Sequence, residues 1–164
     1  MTDATAGTRK LLEQVASGGI TVEEAILKLR TQPFEDLGYA MVDHHRAIRQ
    51  GAPEVVYCAG KTPEQTAGIA QSLLTRGDGN LLLTRADENH YRAVRERIPD
   101  AVYHDCARII TLIRDDTNYG AGTILVAAAG TSDMPVAEEA VVTAETMGNQ
   151  VERLYDVGVA GLHR

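Results

Sequence analysis

At 164 residues the chain has room for one ordinary domain, or for one small domain and part of another. Hydrophobic residues at 44% and charged residues at 24% are the balance of a folded protein and exclude a disordered one. A net charge of −7 excludes a general nucleic-acid binder, although a small anionic ligand needs only a local excess of positive charge.

No apolar run approaches the roughly 18 residues needed to span a bilayer. The opening "MTDATAGTRK" lacks the charged-then-apolar order of a signal peptide. Cys58 and Cys106 sit far apart without metal-type spacing, so a reducing cytoplasm and no metal centre are expected.

Residues 8–16, "TRKLLEQVA", and 21–30, "TVEEAILKLR", show helical spacing on either side of "SGG". Thr21 and Glu24 have the spacing of a capping box. Residues 1–33 are therefore expected to form an antiparallel helical hairpin, a packing or oligomerisation element without chemistry. After Pro33 the pattern changes. "DLGYAMVD" alternates and leads into "HHRAIRQGAPE", a polar turn with Gly51 and Pro53. "VVYCAG" is a short strand, and "KTPEQTAGIAQSLLTRG" is a helix that Thr62 can cap, with Pro63 in its first turn and Gly77 to end it. "NLLLTR" predicts a strand, "ADENHYRAVRERI" a helix, and "VYHDCARIITLI" one or two further strands. This alternation predicts βαβ units and a parallel sheet over 34–117.

"DDTNYGAG", residues 115–122, has the polarity and glycines of a linker. Beyond it "TILVAAA", "MPVAEEAVVTAETMG" and "QVERLYDVGVAG" predict a second strand–helix–strand unit over 118–164. The whole is an α/β chain: a helical hairpin, a βα-rich domain and one further βαβ unit.

The corner "GTSD" joins that unit's first strand to its helix. A small-residue turn at the carboxyl end of a parallel strand presents backbone N–H groups and the positive end of a helix dipole, which suits a phosphate. Gly130 allows close approach, Thr131 and Ser132 add hydroxyl donors, and Asp133 can cap the helix or hold a ribose hydroxyl. A plain helix cap accounts for these residues about as well. Both strand ends open onto one crevice, so His163 is expected beside the corner, where an imidazole suits proton transfer.

"AGKT" at 59–62 invites a P-loop reading, but Val55 stands where that motif needs glycine. Lys61 at a helix start can still hold a phosphate or carboxylate. Asp43, His44, His45, Arg46 and Arg49 form a polar cluster, in which Arg46 and Arg49 share a face if the turn is helical. On the residues alone an exposed charged turn explains this cluster better than a site. His90 and His104 have no partner at recognisable spacing and are expected to be structural, and Cys58 and Cys106 to be small core residues.

"GTSDMPVAEEA" followed by "YDVGVAGLHR" resembles the opening of the phosphoribosylaminoimidazole carboxylase (PurE) family. That family carries a Gly-x-x-Ser-Asp phosphate loop and a later strand that ends in Ala-His-Arg. The resemblance implies that Ser132 and Asp133 belong to the loop and that His163 shuttles the proton. Ala160-Gly161-Leu162-His163-Arg164 departs from the purine enzyme's Ser-Ala-His-Arg.

"DHHRAIRQGAPEVVYCAGKTPEQ", residues 43–65, resembles the N-terminal domain of LarB, the carboxylase/hydrolase of nickel-pincer cofactor synthesis, which precedes a PurE-like domain. This resemblance implies carboxylation of the pyridinium ring of nicotinic acid adenine dinucleotide by carbon dioxide or bicarbonate. Hydrolysis of the phosphoanhydride then releases AMP and pyridinium-3,5-biscarboxylic acid mononucleotide. It implies ligand contacts from Asp43, Arg46, Arg49 and Lys61, and a homo-oligomer, octameric in the full-length family; no cofactor is assigned, and a magnesium requirement is left open by the sequence. The family's nucleophilic cysteine follows the His-Arg motif, and neither Cys58 nor Cys106 matches it.

A stump of about 40 residues buries its own surfaces poorly, so either the chain is a truncated product of a longer gene, the favoured expectation, or a partner completes the sheet. The alternatives are a purine-type carboxylase and a catalytically silent nucleotide-binding or assembly module.

Overall fold

The computed structural model describes residues 3–31, 34–43, 54–76 and 79–158. Helices α1 (Asp3–Ala16) and α2 (Val22–Thr31) form the predicted hairpin. Its capping box is present: the Glu24 amide donates to Thr21 Oγ1 at 3.1 Å, and the Thr21 amide to Glu24 Oε2 at 2.9 Å. Gly18, at φ 73°, takes the left-handed turn that reverses the chain.

The alternating stretch after Pro33 is a tight antiparallel pair, β1 (Phe34–Asp36) and β2 (Met41–Asp43). Asp36 Oδ1 accepts from the Gly38 amide at 2.7 Å and shapes the turn between them. Strand β3 (Val55–Tyr57), helix α3 (Pro63–Arg76) and strand β4 (Leu81–Thr84) form a true βαβ unit, with β3 and β4 parallel. Thr62 and Gln65 make a second reciprocal cap at the start of α3, at 3.2 and 3.0 Å. The Gly77 stop lies outside the described residues.

Helix α4 (Glu88–Arg97) follows, then β5 (Val102–His104) and β6 (Ile109–Leu112). Here the expectation of a parallel sheet needs correction. The order is β3-β4-β6-β5, and β6 runs antiparallel to both neighbours. The residues between β5 and β6 are too few for a crossover helix, so the two can only pair as a hairpin.

Period-two geometry divides this sheet's side chains between two cores. Val56, Leu81, Leu83 and Ile110 meet Ala67 and Ala70 of α3, Val94 of α4 and Ile98 just past the end of α4. Leu82 and Ile109 point the other way, to Val142 and Met147. Leu82 and Ile109 are each 0% exposed, so burial of either side chain stabilises the fold by roughly 1.5–3 kcal/mol.

Val142 belongs to helix α5 (Met134–Thr146), which lies between strands β7 (Thr123–Ala128) and β8 (Gln150–Tyr155) in the chain. These two strands are parallel and in register from Thr123↔Gln150 to Ala128↔Tyr155. Tyr155 Oη donates to Glu138 at 2.7 Å and Arg153 pairs with Glu145 at 2.9 Å, so alternate residues of β8 face α5. Helix α5 is thus sandwiched: the mixed sheet lies on one side and the β7–β8 pair on the other. The opposite face of that pair leaves Leu125 and Leu154 exposed.

The 115–122 segment contains no helix or strand, as expected of a linker, but it is tied down. Tyr119 donates its amide to Gly148 O at 2.7 Å and its hydroxyl to Asp115 at 2.6 Å. Among the described residues no helix is long and apolar enough to cross a membrane.

Candidate functional site

Direction decides where the site can be. The Asn80 side chain, just before β4, donates to Thr146 O at the C-terminal end of α5, at 2.8 Å. Arg85, just past the carboxyl end of β4, pairs with Glu139 in mid-helix at 2.9 Å. Helix α5 therefore runs antiparallel to β4, and its first turn lies at the end of the molecule where β3, β4, β7 and β8 present their carboxyl ends.

That rim gathers most of the unusual backbone. Gly60 (φ 83°) follows β3, Arg85 (φ 56°) follows β4 and Asp156 (φ 59°) follows β8. Arg108 (φ 53°) precedes β6, whose antiparallel direction brings it to the same end. A left-handed conformation costs a non-glycine residue roughly 1–2 kcal/mol, and such residues concentrate where structure serves a ligand.

The predicted corner is on this rim. Gly130 is extended (φ −147°, ψ 167°), and Thr131–Asp133 form one 3₁₀ turn that runs into α5. Thr131, Ser132 and Asp133 are exposed. The expectation that Asp133 caps the helix fails. Its backbone is already helical and its side chain makes no capping bond, because a cap needs an extended residue at that place. A Cβ on Gly130 would come no closer than 3.9 Å to Asp133 Oδ2, so packing does not demand glycine there.

Lys61 lies in the loop after β3, at the start of α3. Its Nζ donates to Tyr57 O at 2.7 Å, which closes the loop on itself. Beside it His90 caps α4 together with Asp87. His90 Nδ1 lies 2.7 Å from Asp87 Oδ1, and Nε2 lies 3.0 Å from Lys61 O. Both ring nitrogens of His90 are engaged in holding the start of α4, and its capping-box partner Asp87, three residues back, corrects the expectation that it has no partner at recognisable spacing. The hydrogen bond from the His90 amide holds the Asp87 carboxyl below its usual value.

His104 is also structural. Its Nε2 lies 3.0 Å from Thr111 Oγ1, and desolvation pulls its pKa down. It lines a hollow of about 300 Å³ with Asp115 and Thr146, at the far end of α5 from the corner. Cys58 is 0% exposed, and burial pushes its thiol up to about 11. Cys106 is exposed, contrary to the expectation of a core residue, because it falls in the β5–β6 turn.

Asp43 ends β2, where its amide donates to Glu54 Oε2 at 2.9 Å. Arg46, Arg49, His44, His45 and His163 lie outside the described residues. Sequence reasoning missed Arg85, Arg108 and Asn80. The first could have been found, since "LLLTRAD" sets an arginine between a strand and a helix cap.

Residues 34–115 match the family model of the LarB/PurE-like N-terminal domain. An uncharacterised protein of Methanocaldococcus jannaschii is 32% identical over 163 residues, covering 95% of this chain. The chain spans 63% of that relative's length. A match that takes in the β1–β2 pair, the mixed sheet and the two helices on its first face leaves one assignment: the chain belongs to the LarB family.

Proposed function

We propose that this chain works as part of a LarB-type enzyme. Its substrate is nicotinic acid adenine dinucleotide, which is carboxylated on the pyridinium ring with carbon dioxide or bicarbonate and hydrolysed at the phosphoanhydride to release AMP. The observation that carries this reading is the shared rim: the antiparallel course of α5 sets the Gly130–Asp133 turn at the same end as the Lys61 loop and Arg85. A dinucleotide presents two linked phosphates, and a turn rich in amide donors beside cationic side chains suits both.

In this reading Thr131, Ser132 and the amides of the corner hold one phosphate, with Gly130 leaving room for its approach. Asp133 orients a ribose hydroxyl, since its carboxylate is not used as a cap. Lys61, Arg46, Arg49 and Asp43 supply further contacts, and His163, beyond β8, moves the proton. Cys58 is an unsuitable nucleophile, because a covalent adduct requires a thiolate and its thiol is buried and protonated at neutral pH. The match over 34–115 favours this enzyme over a purine-type carboxylase.

Calorimetry with nicotinic acid adenine dinucleotide and with aminoimidazole ribonucleotide tests the proposal. The dinucleotide is expected to bind more tightly. A clear preference for the imidazole nucleotide would overturn the assignment.

A further inference from the structure

Arg85 is one of two arginines on the rim with a left-handed backbone, and the one whose side chain reaches α5. Its neighbours are pinned on both sides: Thr84 O accepts from the Cys58 amide at 2.8 Å, and the Ala86 amide donates to Arg108 O at 2.8 Å. Between them Arg85 adopts φ 56° and sends its side chain off the sheet to Glu139 of α5. Arg85 and Glu139 line an open groove of about 520 Å³ that follows α5 past Val136, Ala140 and Thr143 to Asn149.

We propose that Arg85 is a phosphoanhydride-binding residue that exchanges Glu139 for the nucleotide. The inference rests on the reading above and deepens it, by adding a phosphate contact that reaches the corner from the mixed sheet. The side chain of Arg85 is 47% exposed and that of Glu139 23%, so their pair is accessible and readily broken. A phosphate offers the guanidinium a two-pronged acceptor, which is the stronger partner. Glu139 stands six residues beyond Asp133, so about 9 Å of helix axis separates it from the corner. A guanidinium released from Glu139 turns along that axis, and the two linked phosphates lie between it and the Thr131–Asp133 turn. Glu139 then acts against binding twice: it competes for the arginine and repels the anion.

An ion pair that only fastens α5 to the sheet predicts something different, since both of its partners would then matter equally and in the same direction. The test is calorimetric titration of the protein, Arg85→Ala, Arg85→Lys and Glu139→Gln, with nicotinic acid adenine dinucleotide and inorganic pyrophosphate as probes and melting temperatures alongside. Arg85→Ala is expected to bind both probes roughly tenfold more weakly, and Arg85→Lys to fall between it and the native protein. Glu139→Gln is expected to bind roughly threefold more tightly.

Unchanged affinity in Arg85→Ala overturns the proposal, and so does weaker binding in Glu139→Gln. If Arg85→Ala does not fold, the opposite shifts expected of Arg85→Lys and Glu139→Gln decide. Native protein that binds pyrophosphate with this order of variants, yet ignores the dinucleotide, refutes the substrate and keeps Arg85. Native protein that binds neither probe refutes both.

Discussion

The Asn80 side chain joins three stretches of the chain to one point. Its amide nitrogen donates to Thr146 O at 2.8 Å and to Asp115 O at 2.9 Å. Its oxygen accepts the amides of Arg114 and Asp115 at 2.8 and 2.9 Å. The hydrogen-bonding capacity of one carboxamide is thereby filled, and the end of α5 is fixed to the start of β4.

Loss of this clamp is expected to cost stability. Asn80→Ala leaves partly buried carbonyls and amides without their partner, which costs about 1–3 kcal/mol. Asn80→Asp keeps the two acceptor contacts but sets a carboxylate against the carbonyls of Thr146 and Asp115, so it should also destabilise. Urea denaturation checks both variants, and a native midpoint for either would show that the clamp is dispensable.

The corner should separate ligand binding from stability. Gly130→Ala meets no close atom and Asp133→Ala removes no capping bond, so both are expected to melt within a few degrees of the native protein. Ser132→Ala should behave likewise, because the hydroxyl is exposed. All three are expected to lose affinity for nicotinic acid adenine dinucleotide, Ser132→Ala by roughly the worth of one hydrogen bond, ~1 kcal/mol, and Gly130→Ala because its methyl group crowds the approaching phosphate. Native affinity in all three variants would leave the corner as a mere strand-to-helix turn.

The Asp87 cap gives a pH dependence of known sign. Its folded carboxyl titrates below the ordinary 3.8, chiefly through the His90 amide. A depressed acid pKa contributes stability that is present above 3.8 and is lost as pH falls through the folded value. Asp87→Ala should therefore cost about 0.5–2 kcal/mol at pH 7. The gap between variant and native protein should close in acid. Parallel denaturation curves at pH 7 and pH 3 measure it, and a gap of constant size would refute the cap's role.

The two cysteines should react very differently. Cys58 is fully buried with its thiol raised to about 11, whereas Cys106 is exposed in a turn. Iodoacetamide at pH 8 is expected to alkylate Cys106 and spare Cys58 until the protein is unfolded in denaturant. Mass spectrometry of the peptides reads the outcome. Early modification of Cys58 would mean that the β3–α3 loop opens readily.

Much of the local structure could be read from the residues, because its causes are local. Thr21 with Glu24 and Thr62 with Gln65 cap helices through bonds three residues apart, and the "LLL" of β4 announces a strand buried on both faces. The corner at 130–133 was legible for the same reason: a small-residue joint between a strand and a helix is visible in sequence. What tertiary structure alone decided depends on partners far along the chain. The direction of β6 against β4, the placement of α5 between two sheets and the pairing of Arg85 with Glu139 belong to this class. Asn80 reaches across 35 residues to Asp115 and 66 to Thr146, and no periodicity or spacing encodes such a meeting. Those long-range contacts fix which end of α5 faces the carboxyl ends of the strands. Local hydrogen bonds form each element, but only packing selects which elements share a rim.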